Sequence, residues 1–159
     1  MKTYVITLSE KFPATHKKAG DCTYFRIKFL RTRGAAPGNW LKLHTIRANY
    51  KLWRERFDEI EAGKALLSVR QWSGKPYCSK QLELARLTKE DGIGLQKLQF
   101  CADKDGMHSF NQMEIDGKHV SKESLALNDG LTREDWMEWF RRYDLSQPLA
   151  IIQFTPFRY

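Results

Sequence analysis

Between Trp40 and Lys80 the sequence changes its hydrophobic period twice, and this limits the possible folds more than any other feature. The run W-L-K-L-H-T-I-R (Trp40 to Arg47) reads as extended, which puts Thr45 and Arg47 on one face and Lys42 and His44 on the other. A bend ahead of Thr45 would instead bring Lys42 round to the Thr45 side. A helical stripe follows, with Trp53, Phe57 and Ile60 at i, i+4 and i+7, Asn49 as its cap and Gly63 as its stop. Ala65 to Gln71 then reverts to strand, with Leu67 and Val69 facing a core and Arg70 facing away. Strand, helix and strand in such close order call for a sheet with helices packed on it, an α+β fold.

The rest of the chain fits this class. Thr3 to Leu8 alternates as a strand, and Ser9 to Asp21, with Pro13 and Gly20, reads as a loop. Tyr24 to Leu30 also alternates, with Phe25, Ile27 and Phe29 on one face, and predicts a second strand. Arg31 to Asn39 is a turn rich in Gly and Pro. Gln81 to Leu87, Gly94 to Phe100 and Met107 to Ile115 predict further strands. The last should pair with Lys118 to Val120 across Asp116-Gly117, a strong hairpin signal. Ser121 to Asn128 reads as a short helix or a turn. Thr132, with Asp135 three residues on, caps another helix whose apolar stripe is Trp136, Phe140 and Tyr143. Leu149 to Thr155 is apolar enough to be a central strand. Trp53, Phe57, Ile60, Val69, Phe140 and Ile151 are expected in one core, and the 159 residues in one domain, taken as a monomer.

Charge is divided unevenly. The net +8 separates into +11 for residues 1–80 and −3 for residues 81–159, as expected of a basic face turned to a phosphate or polyanion. That basic half contains Arg70, Trp72, Lys75 and Tyr77, cations interleaved with aromatics, a mixture suited to a nucleotide or an RNA base. Trp72 and Tyr77 fit packing at a rim equally well. Cys22, Cys78 and Cys101 are odd in number and widely spaced, so reduced thiols in the cytoplasm are expected and a zinc site is not. His16, His44, His108 and His119 show no metal-ligand spacing, and His44 reads as a packed or solvent residue. No cofactor is implied. No apolar run is long enough to span a membrane, and the first eight residues read as a strand, not a signal peptide.

The segment K-L-H-T-I-R (Lys42 to Arg47), the strand in A-G-K-A-L-L-S-V-R and the late helix and terminal strand together resemble the ASCH superfamily, small PUA-like domains related to RNA-binding modules. The resemblance implies a single mixed β-barrel of about six strands with two flanking helices. It also implies a module that binds RNA or a modified nucleotide in the groove between residues 42–47 and 70–77, with Arg47, Arg70, Trp72, Lys75 and Tyr77 at the ligand. Some members are small bacterial amidohydrolases that deacylate acetylcytidine with a lysine, a threonine and a glutamate. Lys42 and Thr45 match the first two, so the second implied function makes Thr45 the nucleophile and neutral Lys42 the base. The family's acidic position aligns with Leu127. Asp129 and Glu123 lie nearby but out of register, and the binding role is therefore the first expectation.

Overall fold

A computed structural model describes residues 1–159 and shows an α+β fold of eight strands and four α-helices. In chain order these are β1 (Lys2–Thr7), α1 (Phe25–Thr32), β2 (His44–Arg47), α2 (Tyr50–Glu61), β3 (Ala65–Trp72), β4 (Gln81–Leu87), β5 (Gly94–Ala102), β6 (His108–Ile115), β7 (Lys118–His119), α3 (Lys122–Asn128), α4 (Arg133–Phe140) and β8 (Leu149–Gln153). The strands form two sheets, β1-β3-β4 and β2-β8-β5-β6-β7, and neither closes on itself into a barrel. The count exceeds the six strands and two helices expected from the sequence.

Helix α2 connects the sheets. Its stripe of Trp53, Phe57 and Ile60 is buried, and the helix packs on β3 of one sheet and on β5 and β8 of the other. Asn49 caps it as expected: its side chain accepts from the Leu52 N–H at 3.2 Å. Strand β8 is buried along its whole length and pairs with β2 on one side and β5 on the other, which accounts for its dense run of aliphatic residues. All six residues expected in the core belong to one buried cluster. The Asp116-Gly117 hairpin also forms, with both residues at positive φ, although β7 keeps only two residues.

One element differs in kind. Residues 25–32 form helix α1, not a strand. Phe25 and Phe29 are four residues apart, a spacing that fits one face of a strand, with Ile27 between them, and also one face of a helix. The helix is favoured by what it buries: Phe25, Lys28 and Phe29 share one side, and Phe29 meets Phe154 edge-on with ring centroids 5.0 Å apart. No helix is long and apolar enough to cross a membrane.

Because Phe57 joins both sheets, Phe57→Ala should lower the unfolding free energy by about 3–5 kcal/mol, as deletion of a buried phenylalanine does. Urea denaturation measures this. A loss under about 1 kcal/mol would mean that α2 is peripheral.

Candidate functional site

The segment leading into β2 supplies the centre of the site. Lys42 precedes the strand and is only 1 % exposed. Its Nζ donates to both the backbone carbonyl and the Oδ1 of Asp129, each at 2.7 Å, and lies 3.8 Å from the centre of the Phe25 ring. Thr45 and Arg47, two apart on β2, lie side by side. Arg47 Nη1 donates to Thr45 Oγ1 at 2.7 Å, and Nη2 donates to the Thr7 carbonyl of β1 at 2.5 Å. Lys42, Thr45, Arg47 and Asp129 all open onto one cavity of about 20 Å³, walled by Leu8, Phe25, Trp139 and Phe140. That volume holds about one water molecule. The chain therefore takes the bent path before Thr45, with Lys42 beside the threonine and His44 on the far face.

Asp129 was not singled out by the sequence, where the family's acidic position fell on Leu127. Leu127 is 58 % exposed and contributes nothing to the cavity. Asp129 ends helix α3 and turns inward because Gly130 follows at φ 81°. A side chain at Gly130 would also press on Lys28 and Lys42, with contacts of 3.3 and 3.4 Å. Two further bonds fix this turn: Leu43 N–H donates to the Asn128 carbonyl at 2.8 Å, and the buried Lys28 ammonium donates to the Gly130 carbonyl at 2.7 Å. In the sequence Asp129 stood near the expected acidic position but out of register with it.

Burial dominates the electrostatics. It pushes the Lys42 pKa down, with the Arg47 charge adding to the effect and Asp129 opposing it. It pushes the Asp129 carboxyl up against the pull of Lys42 and Arg47. Burial thus opposes the charged form of both partners, while their mutual attraction favours it. Thr45 accepts from Arg47 and donates to no protein group, so its hydroxyl proton is free for a base in the cavity.

The remaining expected residues are divided between two places. Trp72, Lys75 and Tyr77 line a surface groove of about 970 Å³ together with Lys11 and Phe12. The Trp72 and Tyr77 rings meet at a tilt of 50° with centroids 5.2 Å apart, and Tyr77 is 90 % exposed at φ 62°. Leu8 and Ser9 border both the groove and the small cavity, so the two adjoin. Arg70 joins neither. It donates to Ser68 and Gln81 and pairs with Glu83 at 3.6 Å within its own sheet. No group of His, Cys, Asp and Glu residues is arranged to hold a metal, and the three cysteines are free.

No family model matches the chain, and no curated protein or solved structure matches it either.

Two measurements follow from the buried groups. Asp129→Asn should cost about 3–5 kcal/mol by leaving the Lys42 charge without its counter-ion. Adding Lys42→Met should recover much of that loss, and strict additivity in the double-mutant cycle would mean that the pair is not coupled. The second concerns pH. Burial and the Lys42 charge hold His44 well below 6.5, so the native state refuses a proton that the unfolded chain accepts. The stability that depends on neutral His44 is present above the unfolded value and lost as pH falls through 6.5, by up to about 1.4 kcal/mol per pH unit. His44→Gln should flatten that part of the stability–pH curve, and an unchanged slope would place His44 in solvent.

Proposed function

We propose that this protein is an ASCH-like amidohydrolase that deacylates an acylated pyrimidine nucleoside, using Thr45 as nucleophile and the Lys42–Asp129 pair as base. The supporting observation is the buried Lys42–Asp129 pair, which opens onto the same small cavity as the threonine. It supplies a carboxylate where the sequence alignment had none. With the shared proton on Asp129, Lys42 is a free amine and takes the Thr45 hydroxyl proton, through the single water that the cavity admits. Thr45 Oγ1 bonds to the acyl carbon and the amide C–N bond breaks, with the leaving nitrogen taking the proton from Lys42. Water then hydrolyses the threonine ester, releasing the carboxylic acid and restoring the hydroxyl. Arg47, already on Thr45 Oγ1, stabilises the negative charge that gathers on this oxygen as its proton leaves. An acyl group reaches Thr45 only if the Leu8–Ser9 edge moves, and the nucleoside stays in the adjoining groove.

A second reading, binding of RNA or a nucleotide without chemistry, draws its support from that groove. There the Trp72 and Tyr77 rings, tilted against each other, offer faces for bases, and Lys75 and Lys11 offer charge for phosphates. In either reading the working compartment is the cytoplasm, where Cys22, Cys78 and Cys101 stay reduced.

Hydrolysis of an acylated cytidine, followed across variants, separates the two. Thr45→Ser should keep some turnover and Thr45→Val none. Lys42→Arg should be as damaging as Lys42→Ala, because a guanidinium stays protonated. Asp129→Asn should lower kcat by about 10²–10⁴-fold. Undiminished turnover in Asp129→Asn would overturn the assignment. Oligonucleotide affinity that falls with salt and with Trp72→Ala, in the absence of any turnover, would establish the binding reading.

A further inference from the structure

Behind Asp129, on the side away from the cavity, the structure contains a buried polar chain that the proposed reaction does not use. His44 is fully buried, and its Nε2 lies 2.6 Å from the Tyr159 hydroxyl. That hydroxyl also accepts from Asn128 Nδ2 at 3.1 Å, and Asn128 is the residue just before Asp129. The Tyr159 backbone is fixed in turn, because its N–H donates to Gln96 Oε1 at 3.1 Å and that oxygen also accepts from Gln153 at 3.0 Å. The other ring nitrogen of His44, Nδ1, is buried without a hydrogen-bond partner. Its nearest charged neighbour is Asp129 Oδ1, 3.8 Å away, the same oxygen that accepts from Lys42. Buried nitrogens are rarely left unpaired, and such an exception calls for a reason.

We propose that His44 and Tyr159 are positioning residues for Asp129: the Tyr159 hydroxyl donates to Nε2, which places the histidine proton on Nδ1 and aims it at Oδ1. The geometry supports this tautomer over its alternative. With Asp129 ionised against Lys42 and the histidine proton on Nε2, the bare Nδ1 lone pair would face a carboxylate oxygen in a buried site, two acceptors with no donor between them. With the proton on Nδ1, a donor faces an acceptor, and closing by roughly 0.9 Å would bring it to an ordinary N–H···O distance of about 2.9 Å. The reserve donor is useful when Lys42 is neutral. At that point Asp129 loses the charge that holds it, and the His44 N–H takes up the same oxygen. Besides Lys42, the Arg47 charge and the buried Trp136 indole N–H also act on the Asp129 carboxyl, both favouring its ionised form. The phenol does not supply a competing charge, because burial raises its pKa above the ordinary range and keeps it protonated.

This inference extends the proposed hydrolysis, but its test does not depend on turnover. Nitrogen-15 spectra of the histidine rings in the whole 159-residue chain report which nitrogen carries the proton, and carbon-13 spectra of the Asp129 carboxyl report its titration. Expected are a neutral His44 protonated on Nδ1, and in Tyr159→Phe a mixed tautomer with Asp129 titrating at higher pH than in the parent. An Nε2-protonated or positively charged His44 in the parent would overturn the proposal, and so would an Asp129 titration unmoved by Tyr159→Phe. Where the chain hydrolyses an acylated cytidine, Tyr159→Phe should lower kcat about ten- to a hundredfold with KM unchanged. A parent that hydrolyses nothing counts against the proposed function alone, and the tautomer still decides the role of His44.

Discussion

A positive and a negative charge are held together out of water by Lys42 and Asp129, and much of the surrounding structure accommodates them. Each charge costs several kcal/mol to desolvate, and the cost is offset only when every polar atom finds a partner. Hence Lys42 takes two oxygens of one residue, and the Phe25 ring covers its ammonium. Hence also Gly130, since only a residue free to adopt positive φ and lacking a side chain lets α3 end with Asp129 turned inward against Lys42. The Leu43–Asn128 backbone bond and the Lys28 clamp on the Gly130 carbonyl hold both ends of that turn. The pair is placed by β2 on one side and α3 on the other, so its geometry depends on the packing of the five-stranded sheet.

The same cost explains why the basic half of the chain does not form one uniform cationic face. Arg47 is spent on Thr45 and on the Thr7 carbonyl, and Arg70 on Glu83 and its sheet neighbours. The Trp72–Tyr77 groove, by contrast, is open to a ligand and carries Lys75 and Lys11. The small cavity and the broad groove thus differ in character: buried charges line the first, and exposed aromatic and cationic side chains line the second.

Most of the strands could be read from the sequence because one face of each is apolar and a turn residue ends it, as at Asp116-Gly117 and around β8. Helix α1 was not legible, since Phe25, Ile27 and Phe29 fit a period of two while Phe25 and Phe29 fit a helix equally. What decided between them, the burial of Lys28 and the Phe29–Phe154 contact, comes from residues far apart in the chain. The candidate site was half legible. Lys42, Thr45 and Arg47 stand close together in one segment, whereas Asp129 is 87 positions from Lys42 and reaches it only through the fold. Counting along the chain pointed to Leu127, because register in sequence says nothing about which way a helix end turns. His44 read as an ordinary packed residue, and its unpaired nitrogen emerges only when Tyr159 and Asp129 are seen on either side of it.

The central claim is that Thr45 takes the acyl group with the Lys42–Asp129 pair as its base. Rapid acid quenching of the protein mixed with acetylated cytidine, followed by peptide mass mapping, tests it most directly. The account predicts an acetyl ester on Thr45, formed on mixing and lost on mild alkaline treatment. A stable acetyl amide on Lys42, or turnover with no adduct on the protein at any quench time, would contradict it.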